Sequence, residues 1–465
     1  MKNTQVAIIG GGPCGLGAAR RLNDLGFSDW VLLEKNSHVG GLAASFIDDK
    51  DFTWDLGGHV MFSHYKVFDD LMQSLFPENG WQHHQRESWI QICNRFIPYP
   101  IQNNIRLLPE DKLIDCLIGI LRVLAQPNTA VPRLFSEWAM QSFGKGIYDL
   151  FMQPYNEKVW AWPLSEMGCK WVGERVSKVN IGRLLEHIYA NRDDVSWGPN
   201  NTFMFPSHGG TGAIWKKTAS SLPQDKLFLS TYVTRIDLDR HIVYLNDGQE
   251  LMYEKLVSTV PITILSCLCG VESSMKSLQE LKHSSTHVIG VGLSGKPSEE
   301  LSRKCWMYFP ENNVPFYRVT HFSHYSPYNV PMPETQWSLM AEISESAYKP
   351  AIAPTSQKII QKTIDGFIDA QLISRQDTIL SKWYCRIEHS YPTPTPNRDD
   401  IVSSANDYFE SQSVYSRGRF GSWKYEVANM DHSFMQGYEV IDFLVNGTKE
   451  MTYFHPETVN SLKFK

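Results

Sequence analysis

The chain of 465 residues has no apolar stretch long enough to cross a bilayer. Its longest, LIDCLIGILRVLA from Leu113, carries Asp115 and Arg122 and falls short of the ~20 apolar residues that a helical span needs. An excess of positive charge is also lacking: the formal net charge is -6, which argues against a nucleic-acid partner. The eight cysteines, at 14, 93, 116, 169, 267, 269, 305 and 385, are scattered, and the only close pair lacks the two-residue spacing of metal and redox sites. Free thiols in a reducing compartment are the reading. No basic, apolar leader opens the chain, because MKNTQVAIIGGGPCG runs straight into a strand and a glycine turn. Internal repeats and low-complexity segments are missing too. These absences set the expectation of a cytoplasmic protein with no metal, no membrane and no nucleic acid, while a homo-oligomer stays open.

What is present is a globular composition, 42% hydrophobic and 20% charged, long enough for two or three domains. QVAIIG, GGPCGLGAARRLNDLG and WVLLE read as strand, turn with helix, and strand, a single βαβ unit with Ala18, Ala19 and Leu22 on one helix face. From about 105 to 195 the pattern is helical, with Leu113, Leu117, Ile120 and Leu124 on one stripe and LFSEWAMQSFG ending at a glycine stop. Short β-type runs follow from about 225, with Asn246-Asp247-Gly248 as a hairpin turn. NMDHSFMQGYEVIDFLVNG closes the chain as a helix from near Asp431 to Gly447.

Gly10, Gly12 and Gly15 form G-x-G-x-x-G between a strand and a helix, with Pro13 and Cys14 inside the turn. Such glycines permit the turn, the approach of a pyrophosphate and close helix packing, and the helix start offers unpaired N–H groups to phosphate. Glu34, nineteen residues after Gly15, stands where a carboxylate accepts a ribose hydroxyl. A second match, GVGLSG at 290–295, is followed by KPSEEL, whose Pro297 and charges do not suit a packed helix; we read it as a decoy. VGGL at 39–42 resembles the second glycine element of flavoproteins of the amine oxidase and glutathione reductase kind, and with DLGGH at 55–59 it favours FAD over NAD.

DLGGHVMFSHY, PYPIQNN, LFMQPYNEKVWAWP, WVGERV, WGPNNTFMFP, HGGTGAIW, SSTHVIGVG, FYRVTHFSHYSPYN, YPTPT and SRGRFGSWKYEVANMDHSFMQG, in that order from residue 55 to 437, together resemble UDP-galactopyranose mutases of the eukaryotic type. The resemblance implies an α/β fold: a Rossmann-like FAD-binding domain over 1–80, 201–280 and 406–465, an antiparallel β-sheet substrate domain over 81–104 and 281–405, and a helical bundle over 105–200. It implies that Lys35, Gly41, Leu42, Gly57, Gly58, His59, Val233, Arg419, Asn429, Met430 and Ser433 join the glycine turn against FAD, with the isoalloxazine ring over Gly57 and Gly58.

Toward a UDP-sugar, the same resemblance implies Arg175 and Arg318 on the diphosphate with the hydroxyls of Tyr308, Tyr325, Tyr391 and Tyr425. It assigns Phe62, Tyr99, Gln102, Phe151, Asn156 and Trp160 to uridine, and Asn200 and Trp306 to the sugar. Guanidinium forks suit phosphate oxygens independently of any family. The implied reaction is a redox-neutral ring contraction in which reduced FAD is the nucleophile toward the sugar's anomeric carbon, with His59, Arg175 and Arg318 as the catalytic residues and NAD(P)H as the reductant.

His64 is read as structural. Departures from the resemblance are Ile101 where an aromatic is usual, Ala428 where glycine is usual, and Cys14 where a small hydroxyl residue is common. They leave room for another UDP-sugar, and a flavin oxidase or desaturase of the amine oxidase kind is the rival from another class.

Overall fold

The apolar run at the start of the chain forms the middle of a seven-stranded sheet. In the computed structural model, which describes residues 2–125, 130–173, 176, 179–194 and 201–461, Lys2–Ile9 (β1) pairs in parallel with Trp30–Leu33 (β2) on one side and Glu250–Ser258 (β12) on the other. Leu227–Phe228 (β9) extends the sheet beyond β2; Val233–Asp237 (β10) and Ile242–Leu245 (β11) extend it beyond β12, and Val414–Ser416 (β18) also pairs with β12. The β11–β12 pair is antiparallel around Asn246-Asp247-Gly248, as the turn chemistry predicts. Pro13–Asp24 (α1) joins β1 to β2, and the closing helix Met430–Asn446 packs along it and ends at Gly447 with φ 70°.

A second seven-stranded sheet is built from Ser88–Ile92 (β6), Arg95–Pro98 (β7), His283–Ser294 (β13), Trp306–Tyr308 (β14), Arg318–His321 (β15), Gln336–Glu345 (β16) and Ile379–Pro392 (β17). Its strands run in the order β17-β13-β16-β15-β14-β6-β7. Two small ladders complete the strands, Ser45–Ile47 (β3) with Thr53–Asp55 (β4) and Trp81–Gln85 (β5) with Thr202–Pro206 (β8). Residues 290–294 of GVGLSG are the end of β13 and Gly295 is the bend that follows, so no helix starts in the motif and the decoy reading holds. Its glycines make space for rings: a Cβ on Gly290 would stand 2.5 Å from the Trp54 indole, and one on Gly292 2.5 Å from Phe52.

Helices between 110 and 189 form the third region: Glu110–Ala125 (α2), Phe135–Ile147 (α3), Gln153–Trp160 (α4) and Ile181–Tyr189 (α5). Two expectations are corrected here. The buried face of α2 is Cys116, Gly119 and Ile120, while Leu124 is 54% exposed. The cause is a close helix crossing, in which a Cβ on Gly119 would be 2.9 Å from the Gly146 backbone nitrogen; glycine rather than leucine sets the contact face. Gly144 does not stop α3 either. Its φ of 73° puts a kink in the helix, which resumes to Ile147 and passes through a wider turn, Tyr148–Met152, into α4.

Candidate active site

At the end of β1 two glycine turns lock together: the Gly40 N–H donates to the Gly11 carbonyl at 2.8 Å, and a Cβ on Gly41 would lie 3.1 Å from the Gly12 Cα. A Cβ on Gly15 would overlap the Gly10 carbonyl. Pro13 takes the first helical position of α1, where no N–H is required, and Gly12 before it gives the helix start no side-chain cap. Cys14 is buried behind the turn, against Gly418. Glu34, 4% exposed, accepts the Gly11 N–H on Oε2 at 2.6 Å and two donors of Asn36 on Oε1 at 2.7 and 2.8 Å. Oε1 is therefore filled, and Oε2 keeps a lone pair. Lys35 is exposed, Leu42 is half-buried, and Val233 opens β10.

The closing helix presents its positive end with Asn429 at the cap making no side-chain bond. Met430 is half-buried and Ser433 buried in its first turns. Arg419 donates Nε to the Ser390 carbonyl at 2.9 Å and Nη1 to the Ala428 carbonyl at 3.0 Å, so residue 428 enters through its backbone. The turn at Gly57, with φ 117°, leads to Gly58, whose N–H donates to Glu342 Oε1 at 3.1 Å. His59 follows, with its Nδ1 enclosed and unpartnered. Burial, countered by Glu342 and reinforced by Arg318 and Arg419, brings the His59 imidazole down to about 4, so it is neutral at neutral pH. Uncapped helix starts, a cradle that only glycine permits and an enclosed, unpartnered nitrogen fit an anionic dinucleotide with a flat ring, such as FAD.

Tyrosines and a guanidinium gather near this turn. Tyr308 meets the ring of Tyr99 at 5.3 Å, and Trp306 donates its indole N–H to the Tyr308 hydroxyl at 2.6 Å. Tyr391 lies 5.9 Å from Tyr425 and 5.7 Å from Trp160, with the Arg419 guanidinium 5.1 Å above its ring. Tyr325 is buried among Phe203, Phe205 and Phe322. Burial pushes the hydroxyls of Tyr99, Tyr308, Tyr325 and Tyr391 up, so they stay protonated donors. Phe62 is half-buried beside His64, and Phe151 packs in the helical core. Gln102 is 1% exposed, and Asn156 spends an amide donor on the Met152 carbonyl at 2.7 Å. Ile101 is also 1% exposed and belongs to the helical core. Arg175 and Asn200 lie outside the described residues.

Arg318 is the largest revision. Sequence reading offers it no acidic partner, yet its Nε and Nη2 both reach Glu342, at 2.8 Å each. Burial opposes both charges, yet the pair holds Arg318 well above its ordinary range and Glu342 below its own. One edge of the guanidinium is thereby taken, and the edge made by Nη1 and Nη2 remains. Glu342 itself was missed, as were Tyr155, Arg86 and Tyr317. Tyr155 stacks on Phe151 at 5.1 Å and meets Tyr308 at 5.2 Å; its four-residue spacing from Phe151 was the available signal. Arg86, 5% exposed, lies 5.9 Å from the Tyr99 ring, and only a lone arginine in a β-type run announced it. His64 gives Nδ1 to Asp431 at 2.7 Å. With His432 these two bring potential ligand atoms within 4.8 Å of one another, but the His64–Asp431 bond already uses two of them.

The sequence profile of flavin containing amine oxidoreductases matches residues 13–367. Cyclohexylamine oxidase from Brevibacterium oxydans shares the fold at TM-score 0.66 and 16% identity, covering 94% of this chain and 98% of its own. A fatty acid isomerase from P. acnes does so at TM-score 0.64 and 14% identity, over 95% and 99%. The chain thus belongs to the flavin-containing amine oxidoreductase family in the broad sense. Within it, a crystal structure of reduced UDP-galactopyranose mutase is 45% identical, covers 100% of this chain and 98% of its own, and superposes at TM-score 0.95. The chain is a member of the UDP-galactopyranose mutase family.

Proposed function

We propose that the protein is a flavin-dependent isomerase that interconverts UDP-galactopyranose and UDP-galactofuranose. The observation that carries the reading is the charged, half-engaged Arg318 among buried hydroxyl donors beside the Gly57–His59 turn, in a chain 45% identical to a mutase over its whole length. A diphosphate needs donors and positive charge, and each charge-assisted bond contributes about 1.5–3 kcal/mol.

When bound, reduced FAD supplies the nucleophile for the anomeric carbon. The chain's own residues bind and orient. The uncapped start of α1, Glu34, Arg419 and the start of the closing helix would hold the dinucleotide, and Arg318 with Arg175 would grip the UDP diphosphate. Tyr308, Tyr325, Tyr391 and Tyr425 add hydroxyls there; Phe62, Tyr99, Gln102, Phe151, Asn156 and Trp160 form the uridine side, with Asn200 and Trp306 at the sugar. His59, neutral at neutral pH, contributes its backbone and no charge. Alignment of this kind removes on the order of 7–11 kcal/mol from a barrier in the best cases.

The three-part domain division given above belongs to this reading. So does NAD(P)H as the source of electrons, and so does a cytoplasmic setting, which the free state of all the described cysteines supports. Among the described residues no helix is long and apolar enough to cross a membrane.

The test is incubation of the dithionite-reduced holoprotein with a panel of UDP-sugars, followed by chromatography. Ring contraction without net use of reductant supports the proposal, and the preferred sugar identifies the substrate. Stoichiometric consumption of an oxidant with an amine or apolar substrate would replace it with an oxidase.

A further inference from the structure

Glu342 stands in β16 directly opposite Arg318 of β15, and it is 2% exposed. An ionised carboxylate offers about four lone-pair sites, and all are used. Oε1 accepts Arg318 Nε at 2.8 Å and the Gly58 N–H at 3.1 Å; Oε2 accepts Arg318 Nη2 at 2.8 Å and the Tyr317 hydroxyl at 2.6 Å. Three donors come from the neighbouring strand and its entry. The fourth comes from the glycine turn 284 residues earlier in the chain. Little slack remains between them: a Cβ on Gly58 would stand 2.8 Å from Thr320 Oγ1 and 3.5 Å from Arg318 Cζ.

We propose that Glu342 is a positioning residue that fixes the offset between the ligand-facing edge of Arg318 and the flavin-facing turn at Gly57–His59. The inference rests on the mutase reading, in which one of these groups holds the leaving diphosphate and the other backs the ring that must meet the anomeric carbon. A guanidinium held along its Nε–Nη2 edge cannot rotate about its last carbon–nitrogen bond, so its remaining edge points in one direction. Because the same carboxylate holds the Gly58 amide, a shift of either partner is felt by the other. A misplacement of ~1 Å costs about a hundredfold in rate.

The experiment compares wild-type holoprotein with Glu342→Gln and Glu342→Asp. Glutamine keeps the shape but turns two acceptor sites into donors that face donors; aspartate keeps the charge but is one methylene too short to serve Gly58 and Arg318 together. Both are expected to retain flavin and to bind UDP within about fivefold of wild type, roughly 1 kcal/mol, while kcat falls by about a hundredfold. Three results would overturn the assignment: a fully active Glu342→Asp, since charge alone would then suffice; a loss of UDP affinity as steep as the loss of kcat; or loss of flavin in both variants, which would make Glu342 a structural residue of the sheet. Failure of the mutase reading is visible separately, as a wild-type protein that neither binds UDP nor converts a UDP-sugar.

Discussion

Arg318 and Glu342 face each other across β15 and β16 and are joined by two bonds of 2.8 Å, with the glutamate side chain 3% exposed and the arginine side chain 21% exposed. Removing one partner of a buried pair leaves the other charge uncompensated, at about 3–5 kcal/mol. Arg318→Ala is therefore expected to lower the unfolding free energy by that order in urea titrations while the protein keeps its yellow colour. Its kcat/KM toward the UDP-sugar should fall by about a hundredfold or more, the loss of two charge-assisted bonds. The double variant Arg318→Met/Glu342→Met should recover only part of the stability, because the Gly58 N–H and the Tyr317 hydroxyl lose their acceptor, and none of the activity. An Arg318→Ala enzyme with ordinary UDP-sugar affinity would contradict the diphosphate role.

The rings stacked on the second sheet make another expectation. Trp54 lies over Gly290 and Phe52 over Gly292, with the two rings 5.9 Å apart and nearly parallel at 10°. Gly290→Ala and Gly292→Ala each force a methyl into an aromatic face, and overpacking of this kind costs about 1–3 kcal/mol. Thermal unfolding should register both. Gly295→Ala is the contrasting variant: no atom lies within 4 Å of its Cβ position, and only its φ of 88° opposes the change.

Asp55, wholly buried, accepts the Thr211 hydroxyl at 2.6 Å, the Thr211 N–H at 3.2 Å and the Ser45 hydroxyl. Burial raises its carboxyl to about 6, although Ser45 and Thr211 pull it down. The folded chain thus holds a proton that the unfolded chain releases nearer 3.8. Between those values Asp55 makes stability fall as pH rises, and the cost is complete above about 6. Asp55→Asn removes that dependence. Relative to wild type, the variant should gain on the order of 2–3 kcal/mol between pH 4 and pH 7.5, as read by urea unfolding at the two pH values.

Thiol chemistry separates the cysteines by burial. Burial pushes Cys116 and Cys305 up to about 12 and Cys14 higher, whereas Cys267 is exposed. Iodoacetamide at pH 8 should label Cys267 first, and peptide mass spectrometry should find Cys14, Cys116 and Cys305 unmodified in the folded holoprotein. Early modification of Cys14 would show that the phosphate turn opens far more readily than its packing suggests.

Local patterns carried the parts of the fold that depend on neighbours in sequence. The βαβ opening, the hairpin at Asn246–Gly248 and the closing helix with its terminal glycine follow from periodicity and turn chemistry, and each is present. The residues flanking 290–295 speak against a nucleotide turn, and all but the last glycine of that motif lie in β13. What could not be read is set by distant partners. The buried face of α2 depends on how closely Gly119 passes α3, and Glu342 acquires meaning only from strand register, which brings it to Arg318 and then to Gly58. Single-residue signals in β-type runs, such as Arg86 or Tyr317, do not distinguish a site from a core.

The packing of α1 on the closing helix is glycine to backbone in both directions, since a Cβ on Gly17 would overlap the Phe434 carbonyl and one on Gly437 the Cys14 carbonyl. The first and last thirds of the polypeptide therefore complete one another. During synthesis a ribosome will have exposed the whole nucleotide fingerprint hundreds of residues before Arg419, Asn429 and the helix that buttresses it emerge. Prosthetic-group capture is on this account a late event in the life of the nascent chain, and messages truncated near their end should yield colourless protein however intact the opening βαβ unit.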